Sequence, residues 1–322
     1  MARFITVRVA SLLASLFIAS VLIFVVLRML PGDSAGATLG VGTTADQLAQ
    51  LRKELGTDQP LLDQYTAWIA SLFNGTTSSF VSKLPVTDLV VAKLGVTVPL
   101  SIGAFVLSVL ISVPLGVIAA VQRNSVIGVG VSAISQLGLA VPIFWVGVIL
   151  IWLFALGAGV LPAGGFPRKG WEDPGAALTS LILPVITVAI AMSSVMVRYV
   201  RSATLDVLDA DYIRTARSLG YSRWGALARH GLRNGAVPVV AILGIELATS
   251  LLGAVVVENV FALPGLGSLL LTSVTARDFP VVQNLVLLLT AVVLITNFLV
   301  DLMQRAIDPR LRLGSATGVG VA

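Results

Sequence analysis

Long apolar blocks fill this sequence, and one charged stretch set among them limits how the chain can fold. From Leu205 to Pro238 it reads LDVLDADYIRTARSLGYSRWGALARHGLRNGAVP, with Asp206, Asp209, Asp211, Arg214, Arg217, Arg223, Arg229 and Arg233 inside it. Each charge costs roughly 2.5–3.5 kcal/mol at a bilayer centre, so burying the whole stretch in lipid would cost on the order of 20 kcal/mol. It cannot span. It must be a water-facing loop between two membrane helices.

Periodicity gives that loop a shape. Leu205, Leu208, Tyr212, Ala216 and Leu219 recur at three- and four-residue steps, which predicts a helix with one apolar stripe and with Arg214 and Arg217 off it. Gly220 is placed to close that helix in the left-handed conformation. Ser222 can cap a second short helix whose apolar contacts are Trp224, Leu227 and Leu232. On this pattern alone, a docking element, a solvated loop and a helix lying on the lipid surface all fit.

The composition agrees with the blocks. Hydrophobic residues make up 57% and charged residues 11% of the 322 positions, with a mean hydropathy of +0.98. Soluble domains carry about 25% charge, so the class is an all-α polytopic membrane protein. There is no cysteine, which excludes disulfides and thiolate metal sites, and the one histidine, His230, offers no metal cluster. No GxxxxGK[ST] phosphate loop occurs, so any ATP used must be hydrolysed by another chain.

Six spans follow from the apolar runs. The first covers residues 1–30 and is longer than the h-region of a cleaved signal peptide. Residues 31–94 form a polar excursion with short helices expected over Thr44–Leu55 and Leu61–Phe73, the second lined by Leu62, Tyr65, Ile69 and Phe73 around Trp68. Residues 95–312 hold the other five spans, near Thr97–Val121, Gly130–Ala155, Leu178–Val200, Val237–Val257 and Val281–Met303, with the charged loop at 202–236. Arg198 and Arg201 mark the end of the fourth span, Glu258–Pro280 reads as a loop, and 313–322 as a disordered tail. Pro114, Pro142 and Pro184 fall inside spans, where they fit either helices flexing around a pathway or ordinary packed kinks.

Basic residues orient the chain. Arg3, Arg8, Arg123, Arg198, Arg201, the loop arginines, Arg305, Arg310 and Arg312 share one side, which predicts that both termini and the loop face the cytoplasm. Polar groups within spans are few: Gln136, Ser193, Glu246 and Ser250 are the candidates for a translocation path, with Ser194, Thr249, Asn297 and Asp301 beside them. So few ionisable groups at depth argue against an ion-coupled, ATP-independent carrier. An intramembrane hydrolase would need a Ser/His or paired-Asp arrangement that these spans do not hold.

The segment DYIRTARSLGYSRWGALARHGLRNGAVPVV resembles the cytoplasmic loop of ABC-importer inner-membrane permease subunits, of the dipeptide and oligopeptide B-type. Further motifs agree in order: Leu30-Pro31-Gly32-Asp33, Leu55-Gly56, Asp58-Gln59-Pro60, Tyr65, Val255 to Phe261, Leu263-Pro264-Gly265-Leu266-Gly267, Ala276 to Gln283 and Asp308-Pro309-Arg310. Two departures stand out. The general loop consensus, Glu-Ala-Ala, three residues, then Gly, falls on Arg214-Thr215-Ala216 and Gly220. Gly75-Thr76-Thr77-Ser78-Ser79 replaces a usual Gly-Asp-Leu-Gly-x-Ser.

The resemblance implies a type I ABC-importer permease in the bacterial inner membrane, importing di- or oligopeptides, with a metal chelate or haem as alternative cargo. It implies no enzymatic activity and no cofactor in this chain, with ATP and Mg bound by partner subunits. Those partners would be a second homologous permease, two ATP-binding subunits and an extracytoplasmic substrate-binding protein, with lipid around the spans and no nucleic acid. The 31–94 excursion would help to receive the binding protein. The loop would be the coupling helix, with Tyr212 and Leu219 filling apolar pockets, Ala216 and Gly220 allowing close approach and a turn, and Thr215, Arg217 and Arg229 meeting polar acceptors on the ATPase.

Overall fold

A computed structural model describes residues 2–29, 44–54 and 56–307. The motifs at Leu30–Asp33, Leu55 and Asp308–Arg310, and the 313–322 tail, lie outside the described residues, as does the side chain of His230. Helices account for nearly all of the rest. They are α1 (Ala2–Met29), α2 (Ala45–Glu54), α3 (Leu61–Asn74), α4 (Val86–Val121), α5 (Val126–Ala140), α6 (Ile143–Leu150), α7 (Pro174–Leu208), α8 (Asp211–Ser218), α9 (Arg223–Ala226), α10 (Leu232–Val260), α11 (Leu266–Thr275) and α12 (Phe279–Ile307). A π-helical turn, Ile151–Gly157, extends α6, and another, Leu227–Gly231, joins α9 to α10.

Five of these helices are long and apolar enough to cross a membrane, and the pair α5–α6 makes a sixth span if counted as one. That pair differs from the straight span expected at Gly130–Ala155. It breaks at Val141-Pro142 and turns by 102°. Proline lacks the N–H that would bond back into the preceding turn and pushes the residue before it to extended backbone, here ψ 122° at Val141. Pro99, Pro114 and Pro184 stay inside continuous helices.

Two boundaries also move. At 1.5 Å per residue, the 35 residues of α7 reach about 50 Å, well past a hydrocarbon core of about 30 Å. So α7 continues beyond Arg198 and Arg201 to Leu208, and α4 likewise begins at Val86, inside the stretch expected to be loop. The segment Glu258–Pro280 is not all loop either, since α11 occupies its middle.

The chain divides into two units: residues 98–262 with 295 onward, and residues 2–97 with 263–294. In the first, α7 is the buried axis, starting at a cap in which Asp173 accepts from the N–H of Ala176 at 3.1 Å. Small residues bring its neighbours close. A Cβ at Gly116 would stand 2.6 Å from Cβ of Val200, and one at Gly138 would meet the hydroxyl of Ser194. The hydroxyls of Ser108 and Ser112 on α4 both reach the Met196 sulfur, at 3.7 Å.

In the second unit, Val86, Leu266, Val281, Leu285 and Leu289 form an apolar core. Leu266 N–H, at the start of α11, is satisfied by Oγ1 of Thr97 at 2.8 Å. Beside this core Phe24, Tyr65 and Trp68 pack ring on ring, and Trp68 Nε1 donates to Asn284 Oδ1 at 2.8 Å. The turn at 76–84 is tied down by Asp278. Its carboxylate accepts from the Ser79 hydroxyl and, at 2.9 Å, from Phe80 N–H, while Ser79 Oγ accepts from Ser82 N–H at 2.9 Å.

Candidate functional site

The charged loop is two short helices folded against their own chain. Asp209 and Ala210 interrupt the helical phase between α7 and α8, so one continuous stripe from Leu205 to Leu219 does not form. Ile213 and Ala216 instead turn inward. With Ala226 and Leu227 they pack against Val121 at the end of α4 and Val207 near the end of α7. Tyr212 and Leu219 point out, with Leu219 75% exposed. The buried anchor is therefore Ile213 and Ala216, where the single-stripe pattern had grouped Ala216 with Tyr212 and Leu219.

The turn between the helices is set by backbone geometry. Gly220 takes φ +97°. Its N–H donates to the Arg217 carbonyl at 3.0 Å, and Tyr221 N–H donates to that of Ala216 at 3.3 Å. These are the paired bonds of a Schellman end, which wants glycine at this position. Ser222 then accepts from Gly225 N–H at 3.1 Å and starts α9.

The outward face carries Tyr212, Thr215, Arg217, Leu219, Tyr221, Trp224 and Arg229. Arg229 lies over the Tyr221 ring, 6.0 Å from its centre. Thr215 spends its hydroxyl on the Asp211 carbonyl, 3.0 Å away. Tyr221 joins this face although the periodic reading did not single it out, and Trp224, expected as an apolar contact of the second short helix, is exposed there instead. The available sign was composition, since exposed Tyr, Trp and Arg are the residues that carry binding energy at protein interfaces. Beside the face, Arg123 meets Asp209 at 3.4 Å, with both side chains largely solvated, so the pair contributes little. Arg217 and Arg223 line the same small recess.

The four path candidates are not brought together. Ser193 is buried on α7 and donates to the Ser108 carbonyl at 3.4 Å. With Ser135 and Ser194 it lines an otherwise apolar groove of about 260 Å³ beside α4 and α5. Gln136 is exposed and lies outside that lining. Glu246 and Ser250 are buried one turn apart on α10, and the Ser250 hydroxyl is satisfied by the Leu247 carbonyl at 2.7 Å. The serines therefore bond to backbone carbonyls, Ser193 across to α4 and Ser250 within its own helix, and Glu246 is the one ionisable residue among the four candidates. Among the described residues no group of His, Cys, Asp and Glu could hold a metal ion.

Comparison with known proteins places this arrangement. Residues 112–313 match the family described as binding-protein-dependent transport system inner membrane component. Residues 1–101 match the N-terminal region described for the same systems. A putative peptide transport system permease protein of Brucella abortus is 37% identical over 306 residues, covering 95% of this chain and 97% of the relative. The glutathione transport system permease protein GsiC of Escherichia coli strain K12 is 37% identical over 313 residues, covering 97% and 99%. A solved inward-facing structure of the MetNI methionine ABC transporter has a chain similar in fold. Its TM-score is 0.58 at 18% identity, over 70% of this chain and 98% of that one.

Proposed function

This chain belongs to the family of binding-protein-dependent transport system inner membrane components, and from that premise we propose that it imports di- or oligopeptides as one half of an ATP-driven translocation pathway. The observation that carries the coupling is the loop's division of labour. Ile213 and Ala216 fix α8 to the ends of α4 and α7, while Tyr212, Leu219, Tyr221 and Trp224 stand exposed on the other side. A partner that holds the exposed face moves the ends of two membrane helices with it, as a rigid body. That partner is an ATP-binding subunit, which supplies the nucleotide and Mg chemistry this sequence lacks. In this reading the loop and both termini are cytoplasmic, two ATP-binding subunits and a second permease complete the assembly, and an extracytoplasmic binding protein delivers the cargo. Peptide cargo rests on the two permease relatives at 37% identity.

The test is affinity purification of the tagged chain from its own membranes, reconstitution in vesicles, and uptake with and without ATP. The reading expects two ATP-binding subunits per pair of permeases and a binding protein loaded with short peptides, identified by mass spectrometry. Uptake that persists without nucleotide sinks the ATP-driven reading. A binding protein carrying a metal chelate or haem leaves the coupling intact and replaces the cargo.

A further inference from the structure

Within the first unit, the break between α5 and α6 lies deep in the membrane with one side bare. Two glycines fix its other side to α7. Gly138 sits against Ser194, and a Cβ at Gly147 would stand 3.4 Å from Cγ2 of Thr187 and 3.1 Å from Cε2 of Phe261. Counted along α7, the break therefore lies about 10 Å before Arg201 and about 20 Å after Asp173, inside the hydrocarbon core. On the bare side Gln136, Leu139, Ala140, Val141 and Pro142 are exposed. Gln136 stands on nearly the opposite side of α5 from Gly138, one turn before Ala140.

The turn of 102° leaves backbone groups open. An α-helix ends with four carbonyls that lack an intrahelical donor, here those of residues 137–140. In a continuous span the N–H groups of residues 141–144 would fill them. Pro142 has no N–H, and Trp145 and Val146 both donate to the Pro142 carbonyl instead, at 3.0 and 3.4 Å. Among the described residues no backbone N–H reaches the carbonyls of 137–140, and the Gln136 amide has no partner.

Hydrogen-bond chemistry selects what meets this surface. Acyl chains carry no donor, and open backbone occurs at this depth only where protein or water covers it. A helix of a second permease spends its N–H groups on its own ladder. Water in a path and an extended peptide both bring free donors. The Gln136 amide, donor and acceptor at once, can answer a peptide carbonyl. Resting on the reading of this chain as a peptide permease, we propose that the α5–α6 break lines the translocation path and holds the passing peptide by its main chain. Peptide N–H groups and the terminal ammonium meet the carbonyls of 137–140, and peptide C=O groups meet Gln136. Such contacts ignore side chains, as carriage of many peptide sequences requires.

The chain contains no cysteine, so single introduced cysteines report on it directly. The whole transporter is reconstituted in vesicles with its binding protein. Reaction with a charged thiosulfonate is then timed at Gln136→Cys, Ala140→Cys and Ile134→Cys from the mass of this chain. Ile134 is exposed at nearly the same depth but on the far side of α5 from Gln136. Gln136→Cys and Ala140→Cys should react about tenfold faster than Ile134→Cys, because an apolar surrounding suppresses the reactive thiolate. Peptide under transport should slow both by about threefold or more, since it covers them. Gln136→Leu should lower uptake about fivefold, by the same factor for acidic, basic and apolar peptides, and Gln136→Asn should lower it less. Equally slow reaction at all three positions overturns the proposal, because lipid or a subunit then covers the break. Fast reaction that peptide leaves unchanged overturns it too, as does a loss in Gln136→Leu confined to one class of peptide. If the unmodified transporter takes up no peptide in these vesicles, the cargo reading fails and takes this inference with it. Peptide uptake with slow labelling at Gln136→Cys and Ala140→Cys defeats this inference alone.

Discussion

Replacing Gly220 with valine tests the backbone of the loop and nothing else. A Cβ at this position meets no atom within 4 Å, so no clash contributes to the outcome. The penalty is conformational. At φ +97° an ordinary side chain pays about 1–2 kcal/mol against the following carbonyl, and a β-branched one more. Taking about 2 kcal/mol for valine, the population holding the native turn relative to alternatives falls about 30-fold. The bonds lost first are those from Gly220 N–H to Arg217 and from Tyr221 N–H to Ala216, which aim Tyr221 and Trp224.

The anchor at Ile213 and Ala216 lies before the turn and keeps its packing, so insertion and assembly should survive. The assay is peptide uptake and ATP hydrolysis measured in the same vesicles, with substrate-loaded binding protein inside the measurement. Uptake per ATP should fall about 5- to 30-fold for Gly220→Val and less for Gly220→Ala. Gly220→Asn should fall least, because asparagine visits the left-handed region more readily than other residues with a Cβ. Equal coupling in all three variants, at equal complex abundance, would refute the claim that the turn positions the partner-facing side chains.

Three further outcomes follow from the packing. Ala216→Arg places a charge where only 6% of the residue is exposed, among Val121, Val207 and Leu227; the loop should detach at a cost of several kcal/mol and the ATP-binding subunits should no longer co-purify, although the chain still inserts. Asp278→Ala leaves the Ser79 hydroxyl and Phe80 N–H without their acceptor, at about 1–3 kcal/mol, so trypsin should cut at the exposed Lys83 about tenfold faster in vesicles with that loop outward. Gly116→Leu must displace Val200, whose Cβ is 2.6 Å from the first added atom, and should lower the melting temperature of the purified assembly as overpacking of about 1–3 kcal/mol does.

What the sequence made legible was what length and charge decide locally. Apolar runs of sufficient length had to be spans, eight charges could not be, and glycine after Leu219 had to end a helix. What it hid depends on phase or on distance along the chain. The break at Asp209 and Ala210 resets the helical count, so Ile213 takes the buried position that a single stripe from Leu205 had assigned to Tyr212. Helix α7 runs past its arginines because a bilayer ends the hydrocarbon without ending the hydrogen-bond ladder. The tie from Ser79 to Asp278 joins residues 199 positions apart, and neither residue type announces a partner. The reset at Ala210 matters most for coupling. With one stripe the loop would have a single sticky face, obliged to choose between its own helices and the ATP-binding subunit. With the phase broken, Ile213 and Ala216 occupy one side and Tyr212, Leu219, Tyr221 and Trp224 the other. The loop can then stay fixed to α4 and α7 while a partner holds it, and only a segment held on both sides transmits displacement.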